Sequence, residues 1–196
     1  MKLRHTLVAA ATVLGIAGMT ANVARAEHFD DGQWAITAKA LKGKTVAFVP
    51  ISMGFDLPQA WAGAVQHEAD KWGFKLVIRD PNWDVAAGVQ ALSQLIAEKP
   101  DVLIVQPADP QSYSKLIKKA SSEGIKVIQV NMESVTRGDA YVGSDWYEVA
   151  GMEMDALEKM CGKASGKSGN IALIGGIPTN PGMMVGMQAI NDKLKE

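Results

Sequence analysis

The stretch Asp101-Val102-Leu103-Ile104-Val105-Gln106-Pro107-Ala108-Asp109-Pro110 decides the fold. Four apolar residues run together from Val102 to Val105. A strand apolar on both faces is expected to be buried on both, as strands of a parallel sheet are. Pro107 has no N–H for a ladder, so the strand should stop near Gln106. Asp109 then falls in the loop just past the strand's carboxyl end. In open α/β sheets, ligands bind at that edge, where the strand order reverses. Helix capping is the competing role for the same carboxylate.

Working outward, a unit repeats on both sides of this strand. Strands are expected over 45–49, 75–79, 102–106 and 126–130, with helices over 58–72, 85–98 and 111–122. Strand starts are 30, 27 and 24 residues apart, the spacing of βαβ units in a doubly wound parallel sheet. The helices show apolar stripes: Trp61, Ala64, Val65, Ala69 and Trp72; then Val85, Val89, Leu92, Leu95 and Ile96; then Tyr113, Leu116, Ile117 and Ala120. Gly73 reads as a C′ residue and Asp84 as an N-cap. Past Asn131 the pattern changes. A polar connection, a short strand at 141–143, a helix over 145–160, a strand at 170–174 and a helix from near Gly182 read as the start of a second α/β unit.

The first 26 residues read as a leader. Lys2, Arg4 and His5 are followed by an apolar or small run from Leu7 to Met19, and Ala24-Arg25-Ala26 offers a signal-peptidase site before Glu27. The run is shorter than the roughly 20 residues that span a bilayer. Residues 27–43 read as a polar lead-in. Without the leader the chain carries 17 basic and 21 acidic residues, a net charge of −4, which argues against nucleic acid as a partner. Cys161 is the single cysteine, so no internal disulfide is expected.

Four loops gather at the carboxyl edge of the expected sheet: 51–57, 80–84, 107–110 and 131–134. With the first strand between the second and third, the switch point lies between 51–57 and 107–110. Candidate ligand contacts there are Asp109, Ser52, Phe55, Asp56, Trp83 and Asn131, with Trp146 at the start of the fifth expected helix. Asp56 also reads as an N-cap. Trp83 and Trp146 stand in polar turns, where an aromatic face suits the apolar face of a sugar ring, with a packed helix start as an equal competitor. Enzyme signatures are missing. Gly162-Lys163-Ala164-Ser165-Gly166-Lys167-Ser168 is one residue short of a phosphate loop and precedes an expected strand. His67-Glu68 lacks the second His of a zinc helix, so no metal site is expected. No nucleophile, His and acid trio is visible.

These residues resemble the periplasmic solute-binding proteins of the ribose- and galactose-binding type, whose fold is shared by lactose-repressor-like regulator cores. The resemblance is carried by Thr45-Val46-Ala47-Phe48-Val49-Pro50, Glu68-Ala69-Asp70-Lys71-Trp72-Gly73-Phe74, Gln106-Pro107-Ala108-Asp109 and Gly124-Ile125-Lys126-Val127-Ile128-Gln129-Val130-Asn131. It implies two α/β lobes (periplasmic-binding-protein type I) with a ligand held between them by hinge closure. The first lobe would span 44–131, and 132–196 would begin an incomplete second, so the chain reads as a fragment. It further implies an exported, periplasmic subunit of an ABC-type importer. The ligand would be a sugar or polyol, the partners a membrane permease and a chemoreceptor, and neither cofactor nor catalysis is involved. Asp109 matches the family's ligand-binding Asp. Residues 55–58 match an aromatic-bearing turn in place but not in type, Asn131 takes the position of a common Asp, and Met183 stands where an Arg is frequent. Two rivals remain: a regulator core of the same fold, which would need an N-terminal DNA-binding segment, and a flavodoxin-like enzyme, which would need a phosphate loop where the chain has Ile51-Ser52-Met53-Gly54-Phe55-Asp56-Leu57.

Overall fold

The computed structural model describes residues 32–195. The expected leader at 1–26 and the first part of the lead-in lie outside the described residues. Five parallel strands form one sheet: β1 (Thr45–Val49), β2 (Lys75–Ile78), β3 (Val102–Val105), β4 (Lys126–Val130) and β5 (Ala140–Val142). Their order is β2-β1-β3-β4-β5. Ala47 aligns with Leu103, and Leu103 with Val127. The chain steps from β1 to β2 on one side and returns past β1 to β3. Right-handed crossovers therefore place α2 (Asp56–Trp72) on one face and α3 (Val85–Glu98) and α4 (Ser114–Ser122) on the other. The reversal falls between β1 and β3, as the sequence predicts.

The main core lies under α3 and α4. Leu92, Leu95 and Ile96 of α3 and Ile117 and Ala120 of α4 close over Ala47, Val49, Leu103, Val105 and Val127. Tyr113, fully buried, joins them and packs its phenol against Gly88. A methyl group at Gly88 would lie 1.8 Å from the Tyr113 oxygen, so the α3–α4 contact requires glycine there. The expectation that β3 is buried on both faces needs correction. Leu103 and Val105 are buried, whereas Val102 and Ile104 are half-buried. The two helices over the first face seal it, while α2 shields chiefly the β1–β2 side of the second, where Val46 and Phe48 are buried.

Four further expectations change. Residues 33–41 of the lead-in form helix α1 (Gln33–Leu41). It is held by Trp34, which stacks on Trp72 at 5.3 Å, with the Lys71 ammonium 4.0 Å and 4.4 Å from the two ring centroids. In α2 the buried residues are Pro58, Ala62 and Ala69, and Ala64 faces solvent. The short strand expected to open a second unit is instead β5, paired with β4 in the same sheet. Residues 170–174 form no strand. A strand needs a ladder partner, and Ile171, Leu173 and Ile174 stand exposed beside α5 (Trp146–Cys161) and α6 (Pro181–Lys193). Helices α5 and α6 pack on each other, tied by Lys193–Asp155 at 2.9 Å and by Tyr147 donating to Asp192 at 3.2 Å.

Among the described residues no helix is long and apolar enough to cross a membrane, and no group of three or more His, Cys, Asp or Glu could hold a metal ion.

Candidate functional site

The loops at the carboxyl edge are stitched to one another by side chains that sequence reading passed over. Buried Gln106, the residue after β3, accepts from the Ile51 N–H at 3.2 Å, joining the β1 and β3 loops across the switch point. Buried Gln129 of β4 donates to the Thr136 carbonyl at 2.9 Å and accepts from Ser134 N–H at 2.7 Å. The Ser134 hydroxyl donates to the Pro110 carbonyl at 2.8 Å, binding the β3 loop to the β4 loop. Asp80 accepts from the N–H of Met53 and of Asn82, at 3.0 and 2.8 Å. The burial of Gln106, Gln129 and Ser134, together with these crossed bonds, ties the loops of the edge into one rim.

Above the rim, a cleft of about 500 Å³ opens between the sheet loops and the α5–α6 unit. Trp83 and Asn131, from the loops after β2 and β4, and Trp146, from the start of α5, line it together. Trp146 sits at the first turn of α5. Asp145 caps that helix through the N–H groups of Tyr147 and Glu148, at 2.9 and 3.1 Å. The indole Nε1 donates to the Asn131 carbonyl at 2.6 Å, and Tyr141 donates to the same carbonyl at 3.1 Å. With its one donor engaged, the half-buried indole lies beside Gly182 at the cleft wall. Asn131 adopts φ 63°, a conformation Asn tolerates. Trp83 is half exposed.

The other sequence candidates fall elsewhere on the rim. Phe55 stacks on Trp83 with centroids 5.1 Å apart and ring planes 22° apart, so it backs the cleft without lining it. Ser52 is buried, and its hydroxyl accepts from Gly54 N–H at 3.0 Å within its own turn. Asp56, expected as an N-cap, is instead the first residue of α2. Phe55 occupies the cap position and makes no side-chain cap bond, so Asp56 contributes only a favourable charge at the helix N-terminus.

Asp109 does cap. Its Oδ1 accepts from Gln111 and Ser112 N–H at 2.8 and 2.7 Å, and its Oδ2 accepts from the Ser112 hydroxyl. These bonds form a turn over 110–113, which is why α4 starts at Ser114 and not at 111. Burial raises the Asp109 pKa, but the bonds from Ser112 and Gln111 outweigh it and hold the carboxyl below its ordinary value.

The cleft also contains two residues the sequence reading missed, Asn180 and Glu153. Asn180 caps α6, accepting from Met183 N–H at 3.2 Å. Glu153 lies on the α5 wall, and Met183, which stands where the family frequently has an Arg, lies on the α6 wall. Asn180-Pro181 is a signature of an N-cap followed by proline at the first helical position, and it could have flagged Asn180.

Residues 46–196 match the family described as a periplasmic binding protein domain, and the chain belongs to that family. The ribose import binding protein of Salmonella typhimurium is 26% identical over 112 residues, which is 56% of this chain and 38% of that protein. The D-xylose-binding periplasmic protein of Haemophilus influenzae is 27% identical over 115 residues, 58% of this chain and 33% of that one. Among solved structures, an ABC transporter solute binding protein from Burkholderia graminis in complex with D-arabinose superposes with a TM-score of 0.70 at 22% identity, covering 79% of this chain and 52% of that one. One from Clostridium phytofermentans with bound β-D-glucose gives 0.67 at 17%, covering 78% and 48%. At these identities the likeness shows the fold. The matched segments make up 33% to 38% of the curated relatives' length.

Proposed function

We propose that the chain is the ligand-binding part of an exported, periplasmic solute-binding protein that captures a sugar at the carboxyl edge of its sheet. It then delivers the sugar to the membrane permease of an ABC-type importer, with a chemoreceptor as a second partner. The observation that carries this reading is the convergence of Trp83, Asn131 and Trp146 on one cleft at the carboxyl edge of the sheet, from the loops after β2 and β4 that flank the strand-order reversal and from the start of α5. Two aromatic residues and an amide match the two faces of a sugar, C–H on one side and hydroxyls on the other. The relatives named for ribose and xylose support the ligand class. Binding proceeds by hinge closure of the α5–α6 unit over the rim. Asp109 and Ser52 are engaged within their own turns and do not line the cleft, so Trp83, Asn131 and Trp146 are the first contacts. No covalent chemistry is involved.

Titration calorimetry of the full chain with neutral pentoses and hexoses tests the reading. One-to-one saturable binding of at least one is expected. Trp83→Ala should weaken it by roughly 10-fold, the worth of a good aromatic contact. Absence of heat and of any melting-temperature shift across the panel would refute it.

A further inference from the structure

The turn that carries Trp83 departs from ordinary backbone. Asn82 and Trp83 both have positive φ, 49° and 70°. Asn adopts this region readily, whereas a bulky residue there crowds its Cβ against the neighbouring carbonyl. Three bonds hold the turn in place. Asp80 Oδ1 accepts from Asn82 N–H at 2.8 Å and from Met53 N–H at 3.0 Å, and Trp83 N–H donates to the Ile51 carbonyl at 2.8 Å. Two of the three cross to the loop after β1, so the loops of β1 and β2 move as one body. The strained turn presents an indole 51% exposed to solvent, with Phe55 stacked behind it. Core packing does not account for a strained residue that remains half exposed. Such conformations persist where surrounding bonds over-determine them, and they cluster at ligand sites.

We propose that Asp80 is a positioning residue that holds Phe55 and Trp83 as a preformed aromatic shelf, and that this shelf selects a closed-ring sugar over the open-chain alditol derived from it. The inference rests on the sugar-binding reading above. A pyranose or furanose ring presents one contiguous C–H face and is already rigid. An alditol must freeze several torsions to lie flat, at an entropic cost for each. A shelf locked before binding adds no ordering cost for either ligand; their affinities differ through the torsions the alditol must freeze and through the C–H face that only the ring presents whole to the shelf.

The test is calorimetry on four pairs: D-xylose and xylitol, D-ribose and ribitol, D-glucose and sorbitol, D-galactose and galactitol. Each is titrated into the full chain, Asp80→Ala, Asp80→Asn and Phe55→Ala. The ring form that binds should do so at least about 10-fold more tightly than its alditol. Asp80→Ala should lower ring-sugar affinity by about 10-fold and narrow that preference. The near-ultraviolet circular dichroism of the stacked indole should be lost with it. Asp80→Asn keeps an accepting Oδ1 and should restore affinity, preference and signal, which a merely destabilising change would not allow. Phe55→Ala removes the second ring without touching the turn and should also narrow the preference, which keeps the test open if Asp80→Ala fails to fold. Equal affinity for ring and alditol overturns the selectivity. Full affinity and preference in Asp80→Ala overturns the positioning role. If no member of any pair binds, the sugar reading falls, and this inference with it.

Discussion

Replacing Tyr113 with Phe should leave the protein as stable or more stable at neutral pH and should remove part of its sensitivity to alkali. Tyr113 is fully buried, and its hydroxyl has no hydrogen-bond partner. An unsatisfied buried hydroxyl costs roughly 1–3 kcal/mol in desolvation. Taking it away offsets the lost contact with Gly88, so the expected change at pH 7 runs from zero to about 1 kcal/mol of stabilisation. Burial, then the nearby charges of Asp109 and Asp84, push the phenol from its ordinary value of 10.0 up to about 12. A folded-state pKa above the unfolded one stabilises the protein below the unfolded value and loses that contribution as pH rises toward the folded one. The window is therefore pH 10 to 12. Each pH unit inside it is worth about 1.4 kcal/mol, so at pH 11.5 the parent should have lost about 2 kcal/mol through this group alone. Lysines and the other tyrosines also titrate there, so the measurement is a difference. Urea midpoints of parent and Tyr113→Phe are compared at pH 8 and pH 11.5. The gap between them should widen in favour of the variant at the higher pH. A variant destabilised by more than about 1 kcal/mol at pH 8 would mean that the hydroxyl has a bonding partner. A gap that does not change with pH would mean that the phenol is not shielded from water.

The same packing predicts that Gly88→Ala is destabilising by about 1–3 kcal/mol or more, because the new methyl group meets the Tyr113 oxygen at 1.8 Å and its Cζ at 2.8 Å. Denaturation of Gly88→Ala combined with Tyr113→Phe should show only partial recovery, since the ring carbon remains in the way. Asp109→Asn keeps an oxygen for the Gln111 and Ser112 N–H groups, so thermal melts at pH 7 should move by no more than a few degrees. If this carboxylate later turns to a sugar hydroxyl, affinity should fall roughly 10- to 100-fold. On the acid side, hydrogen bonds from Lys44 and Thr45 hold Asp101 low, and those from Lys126 and Val127 do the same for Asp139. Depressed carboxyl pKa values contribute stability above the unfolded value, near 4, and lose it as pH falls through the folded ones. Melting temperature should therefore drop below about pH 4, and less steeply in a Asp101→Asn, Asp139→Asn double variant.

The sheet was legible because local chemistry suffices to mark a parallel strand. Val102 to Val105, closed by Pro107, has only one economical home, and its repeats at 45, 75 and 126 settle the winding. Gly73 and Asp84 end and begin helices through their own backbone and side-chain chemistry, and both do so here. Less was legible wherever a residue's role depends on a distant partner. Residues 33–41 lack a buried stripe and are held as a helix beside Trp72, so their pattern alone resembles a loop. Residues 170–174 have the composition of a strand and no ladder to join.

The site divides along the same line. Position past a strand's carboxyl end is a property of chain order, and it singles out Asp109, Trp83 and Asn131 as candidates from the sequence. Which of these share a cleft was decided by tertiary structure. Asp109 turns its oxygens onto the next turn of its own chain, while Trp146 reaches from the start of α5 to the Asn131 carbonyl. Asp80 and Gln106, which fasten one loop to another, carry no local signature. A carboxylate or amide in a loop reads the same whether it meets water or the N–H of a residue 27 or 55 positions away. Periodicity and capping act over a few neighbouring residues and are written in the chain. The stitching of the rim acts between residues far apart in sequence, and only folding brings them within hydrogen-bond reach.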